Sequence, residues 1–316
     1  MKNVSKLTKA ERQQIADGIR FNHVPVNSKY GYSQLQQVRN LNVPDFAQIV
    51  GWPDIHAQGV NEQAIQIAER FVADLRPFAN IAFGDVTDQP NISRWPQPIN
   101  AKPYDLDREE TKGGKLITRI HLISGAELSL VIDGNHNRYQ AYLNDKAGPF
   151  ATLTNRDGSR VFNTKERMKI SRDLPITFLT GSLNRGGFDG GVLINNKHLA
   201  SHGNRSTRQP GGAARVISDN LNKSVHIGHT HKAANGARET TGMGIITWTE
   251  NGFLASLTSE IMAYQSNLDK NWQLNLTVFT IAHGGVVAVQ LVPIMPMVLP
   301  DGRETYGLVW EGKIYL

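Results

Sequence analysis

Cysteine is absent from the chain. That removes disulfides, thiolate metal ligands and thiol nucleophiles together. A metal bound here must be held by His, Asp, Glu, Asn or water, which favours Mn, Fe, Co, Ni or Zn in mixed nitrogen and oxygen sites. An apolar leader is also missing, because the opening MKNVSKLTKAERQQ is polar throughout, and a cytoplasmic location is the expectation. Nor is there a long hydrophobic run. The most apolar stretch, Val286 to Leu299, is interrupted by Gln290, Pro293 and Pro296 and is too short to span a bilayer. Internal repeats and low-complexity linkers are lacking as well. Asn-x-Ser/Thr triplets such as Asn275-Leu276-Thr277 carry no weight without a signal peptide.

What remains is an ordinary globular composition in 316 residues, 40% hydrophobic and 20% charged, with a formal charge of +6. The positive balance suits a phosphorylated or polyanionic substrate. Residues 1 to 46 read as a polar extension with a helical candidate around Lys9 to Ile19, and 47 to 316 as one domain.

Within that domain, Gln48 to Trp52 reads as a buried strand that ends at Asp54-Ile55-His56. Ile65, Ala68, Val72 and Leu75 recur at helical spacing until Pro77, and Ala79 to Phe83 forms the next strand, ending at Gly84-Asp85. A strand, helix and strand in this order imply a parallel pair joined by a right-handed crossover. Thr111 to Ser124 is the next helix. Leu128 to Ile132 is a strand running into Gly134-Asn135-His136, and Arg138 to Asn144 starts a helix. The Gly-, Asn- and Arg-rich segment 146 to 190 reads as a cap-like insertion. Gly191 to Ser201 is a hairpin turning at Asn195-Asn196 that delivers His202-Gly203. Ala213 to Leu221 is a helix, and Ser224 to Ile227 a strand ending at Gly228-His229-Thr230-His231. Strands then follow at Gly244 to Trp248, Gly252 to Thr258, Leu276 to Ile281 and Val286 to Leu291, with a last hairpin, Tyr306 to Leu316, turning at Glu311-Gly312.

The ligand islands lie at strand C-terminal ends, where open α/β sheets place their sites. Together they offer two carboxylates, one amide and four imidazoles as ligands, and a fifth imidazole for chemistry. Such a set fills two adjacent sites, and one carboxylate can bridge cations about 4 Å apart.

The series Asp54-x-His56, Gly84-Asp85-x-x-Asp88, Gly134-Asn135-His136, His202-Gly203 and Gly228-His229-x-His231 resembles the calcineurin-like metallophosphoesterase superfamily. The resemblance implies an α/β fold, a two-sheet αββα sandwich with a binuclear site. It implies one metal held by Asp54, His56, Asp85 and His231, and a second held by Asp85, Asn135, His202 and His229. Manganese is the first expectation; Fe, Zn, Co and Ni are compatible. His136 would be the non-ligand imidazole at the leaving group, oriented by Asp88. The Gly-His-x-His block is similar to the phosphodiesterase and nuclease branches, and the Gly134–Arg138 wording to stand-alone members carried by bacteriophages. Asn137 departs from the acidic residue usual after Gly-Asn-His.

The chemistry expected is hydrolysis of a phosphodiester in a nucleotide, DNA or RNA by water activated between two metals. A histidine titrates close enough to neutrality to protonate the leaving alkoxide. Arg138, and with less reason Arg205 and Arg208, could clamp phosphate oxygens. The alternatives are a phosphomonoesterase acting on nucleotides or proteins, or a non-catalytic, metal-stabilised nucleic-acid-binding scaffold. His23, His121, His198, His226 and His283 read as packing or surface residues, as do the tryptophans, with Trp95 a candidate for stacking on a base.

Overall fold

The computed structural model describes residues 20–24, 36–89, 105–136, 153, 156, 163–179, 191–241, 244–259 and 271–316. In chain order the elements are β1 (Arg20–Val24), β2 (Gln36–Leu41), β3 (Gln48–Trp52), α1 (Glu62–Leu75), β4 (Ala79–Ala82), α2 (Leu106–Ser124) and β5 (Leu128–Ile132). Next come α3 (Thr164–Arg167), β6 (Ile176–Leu179), β7 (Gly191–Ile194), β8 (His198–Ser201), α4 (Gly212–Leu221) and β9 (Ser224–Ile227). The chain closes with β10 (Ala234–Thr240), β11 (Gly244–Glu250), β12 (Asn275–Ala282), β13 (Gly285–Val298), β14 (Glu304–Trp310) and β15 (Lys313–Tyr315).

Two sheets result, one in the order β1-β2-β7-β8-β9-β11-β10 and the other β15-β14-β13-β12-β3-β4-β5-β6. Strands β3 to β6 run parallel, as their short apolar sequences with both faces buried lead one to expect. Ile49, Ile81, Leu130 and Ile132 from this sheet meet Leu41, Val192, Ile194 and Ala200 from the other, with Phe83 and Phe279 filling the space between. Val50, Ala82 and Val131 point the opposite way, onto Ile65, Phe71, Val72, Ile117 and Ile120 of α1 and α2. The outer face of the first sheet packs Leu193, Leu199 and Val225 on Ala213, Ala214 and Ile217 of α4. The layers are therefore helix, sheet, sheet, helix.

Local signals place the elements. Asn61 caps α1 by accepting the Ala64 N–H at 3.1 Å, and Arg76 ends it in the left-handed conformation before Pro77. Asn195 and Asn196, both at positive φ, turn the β7–β8 hairpin. The Asn195 amide also holds both backbone groups of Val43.

Several elements differ from the sequence expectation. Residues 20–24 and 36–41 are not an extension but strands of the seven-stranded sheet, with Val38 and Leu41 buried. The segment looks polar because buried Asn40 pairs with the Asn42 side chain and the Asn196 N–H. Part of the expected cap, Ile176–Leu179, is a strand parallel to β5; four residues at a sheet edge are too few to show periodicity. Residues 252–258 form only isolated bridges, at Phe253 and Ala255. The half-exposed strand Ala234–Thr240 carries too few apolar side chains to be foreseen. The helical candidates Lys9 to Ile19 and Arg138 to Asn144 lie outside the described residues, as do Trp95 and Asn137. Among the described residues no helix is long and apolar enough to cross a membrane.

Candidate metal centre

Five loops converge at the C-terminal ends of β3, β4, β5, β8 and β9. Asp54 and His56 follow β3, Asp85 follows β4, Asn135 and His136 follow β5, His202 follows β8, and His229 and His231 follow β9. The ligand atoms of Asp54, His56 and His231 lie within 4.8 Å of one another, as do those of Asp85, His202 and His229. Asp54 links the two sets: its carboxylate accepts the His229 N–H at 2.9 Å, and one oxygen lies 3.6 Å from His202 Nδ1. Asn135 Oδ1 sits 2.9 Å from His202 Nε2 and also contacts His229 Nδ1. Asp85 accepts the His136 N–H at 2.8 Å through one oxygen and faces His202 Nε2 at 3.3 Å with the other.

The loops reach this point only through unusual backbone. His56, Asp85, His229 and His231 all have φ between 42° and 70°. Non-glycine residues in that region cost roughly 1–3 kcal/mol each and cluster at functional sites. Close approach explains the glycines before the ligands. A Cβ on Gly84, itself at φ 103°, would lie 2.5 Å from His202 Nδ1, and one on Gly134 would lie 2.0 Å from Asp85 Oδ1.

The donor set fits cations. His56 Nδ1 is 2.7 Å from Asp88 Oδ1, and His202 Nδ1 is 2.7 Å from the Phe83 carbonyl. In each ring the Nδ1–H donates outward, so the Nε2 lone pair faces inward, as for metal-ligating histidines. His56 Nε2 and His231 Nε2 are 3.2 Å apart. Two nitrogens bound to one cation at about 2.1 Å have roughly this separation.

The buried ligands shift one another's affinity for protons. Burial works against a charged His56, but Asp88, Asp85 and Asp54 outweigh it and raise its pKa to about 9. Burial pushes Asp54 up to about 6, against the pull of His202. Despite its own burial, Asp85 is held well below the usual carboxylate range by His202 and His136. Burial, with His56 close by, keeps His231 well below its ordinary value.

The surrounding shell differs in part from the sequence reading. Asp88 was expected to orient His136, yet its Oδ1 bonds His56 and lies 3.9 Å from His136 Nδ1. The loop bearing Asp88 is tied to the first turn of α2, where fully buried Glu109 accepts the backbone N–H groups of Asp88 and Gln89. Burial lifts Glu109 to about 7. Trp272 packs edge-on against His231, with ring centroids 4.6 Å apart, and Phe253 stacks on the same imidazole at 5.2 Å. Neither Glu109 nor Trp272 belongs to a ligand motif; an acid on the apolar side of a helix was the only hint.

Arg138 lies outside the described residues. Arg205 and Arg208 are exposed on the loop between β8 and α4, and that loop is fastened by Lys232 Nζ, which donates to the Thr207 carbonyl at 2.6 Å. His121, His198 and His226 are buried away from the cluster, and His283 is exposed.

No protein-family model matches the chain, and no curated protein matches it in sequence. Among solved structures, vacuolar protein sorting 29 from Cryptosporidium parvum superposes with a TM-score of 0.37 at 12% identity, over 84% of this chain and 98% of its own. TT1561 of Thermus thermophilus superposes with a TM-score of 0.31 at 10% identity, over 78% of this chain and 99% of its own. Superpositions this loose leave the fold described by its own layers and strand order.

Proposed function

We propose that the chain is a binuclear metallophosphoesterase of the calcineurin-like kind that hydrolyses phosphodiesters of nucleotides or nucleic acids. The observation that carries this reading is the convergence of two carboxylates, one amide and four imidazoles from five separate loops, all but Asn135 and His229 buried, with the outward-bonded rings presenting lone pairs inward. Asp54, His56 and His231 would hold one divalent cation; Asp85, Asn135, His202 and His229 would hold the other, with Asp85 reaching toward both. A cation pair in such a cage supplies a nucleophile from water at neutral pH and neutralises charge on the phosphoryl oxygens.

The remaining work falls to the protein. His136 belongs to neither ligand set, and its side chain is 22% exposed at the rim, where a leaving group would depart. Its Nδ1 lies 3.9 Å from Asp88 Oδ1, which keeps the ring at the rim in a position to hand a proton to the leaving group. Arg205 and Arg208 stand on a loop tied to the residue after His231, so they can meet a polyanionic substrate at the cage edge.

The test is to load the metal-free protein with Mn2+ and compare a bis-aryl phosphate diester with an aryl monoester, alongside Asp85→Asn. Faster diester turnover, lost in the variant, is expected. A monoester preference of orders of magnitude would move the activity to a phosphomonoesterase. Silence on both substrates with metal bound would favour a scaffold.

A further inference from the structure

We propose that Glu250 is a positioning residue that sets the ligand loop Gly228–His231 through the hydroxyl of Thr230; this rests on the two-metal reading above. Glu250 ends β11 opposite Ile227, the residue from which that loop departs. It is fully buried. One carboxylate oxygen accepts the backbone N–H groups of Ala213 and Ala214 at 2.7 and 3.1 Å. These are orphan donors of α4, whose N-cap Gly211 offers no side chain. The other oxygen accepts the Thr230 hydroxyl at 2.8 Å.

The geometry gives this bond a purpose. Thr230 is 5% exposed and lies between His229 at φ 70° and His231 at φ 59°. A loop with left-handed residues on both sides of one position relaxes unless something fixes that position. The Thr230 N–H donates to the Gly228 carbonyl, 2.8 Å away, and the Lys232 N–H donates to the Thr230 hydroxyl oxygen at 3.4 Å, both within the same stretch of chain. The hydroxyl is thus the link from this residue to a rigid element, and it moves two ligands as one unit. Helix α4 in turn stabilises the buried carboxylate that receives the bond.

Removing such an outer partner typically weakens metal binding 10–100-fold. The experiment is equilibrium dialysis of Mn2+ against wild type, Thr230→Val, Thr230→Ala and Thr230→Ser, with thermal unfolding of each protein in EDTA. Alanine leaves room for a water and covers the case in which valine prevents folding. Valine and alanine are expected to weaken Mn2+ binding by about 10–100-fold, and serine to restore it to within a few-fold. A merely structural role would lower the unfolding temperature in EDTA and leave Mn2+ affinity alone; that result overturns the proposal. A wild type that binds no Mn2+ removes the two-metal reading and this inference with it. A wild type that binds two ions, matched by alanine and valine variants, removes the inference alone.

Discussion

Replacing His136 with alanine is expected to reduce turnover of an alkyl phosphodiester by roughly 10²–10⁴, the usual contribution of a general acid, with both metal sites still filled. The side chain lies outside both ligand sets, so its loss removes no donor. The contact that matters for the cage, His136 N–H to Asp85 Oδ1 at 2.8 Å, is made by the backbone and survives the substitution. The leaving group sharpens the test. An alkoxide needs a proton as it departs, whereas a nitrophenolate barely does, so the loss should be far smaller on an activated aryl diester. Steady-state rates on both diesters, with Mn2+ content measured on the same samples, decide the matter. An equal loss on both substrates, or loss of metal, contradicts the assignment.

Protonation of the buried histidines is the second large effect. Burial lowers His198 from 6.5 to about 4, and His121 to about 4 with Lys165 adding to the fall; burial also keeps His226 well below its ordinary value. The unfolded chain therefore binds protons that the folded chain refuses between pH 6.5 and 4. Stability from these groups is complete above about pH 6.5 and is lost as pH falls toward 4, by on the order of 3 kcal/mol at His198. Asp54 and Glu109, raised by burial to about 6 and 7, act in the opposite sense in metal-free protein. The contribution of His198 is accordingly read as a difference. Urea unfolding of wild type and His198→Leu in EDTA, from pH 7 to 4.5, should show wild type losing stability relative to the variant as pH drops. Parallel curves would mean that His198 already carries its proton or has a partner for it.

Much of the site could be read before folding was considered, because each ligand follows a strand whose own signal is strong. QIVGW, LSLVI and SVHI are short apolar runs that stop at a ligand island, and the observed bounds of β3, β5 and β9 coincide with them. The hairpin carrying His202 announced itself through Asn195-Asn196, where two successive left-handed residues are needed. Elements on sheet edges were harder to see. Strands β1, β6 and β10 lie at sheet edges, β2 pairs directly beside β1, and β10 has no fully buried residue, so tertiary pairing decides them rather than periodicity.

The same limit applies around the site. The sequence motif assigned Asp88 to His136; the φ of 41° at neighbouring Gln89 and the Glu109 clamp belong to a bend that turns it to His56. Glu250 and Trp272 act on the His229–His231 loop from 20 or more residues away in the chain. No local pattern connects them to it. The glycines were legible as companions of the ligands, yet their reason is visible only in three dimensions, where Gly134 leaves no room for a Cβ beside Asp85.

The most direct test of the central claim is the low-temperature EPR spectrum of the protein loaded with two equivalents of Mn2+, recorded with and without Asp85→Asn. The two ligand sets adjoin, with Asp54 3.6 Å and Asp85 3.3 Å from nitrogens of the His202 ring, so two ions held by them would lie close enough to couple. Two tightly bound ions per chain are expected, with an exchange-coupled spectrum that the substitution abolishes. A single bound ion with an uncoupled six-line signal, unchanged in Asp85→Asn, would contradict the two-metal centre.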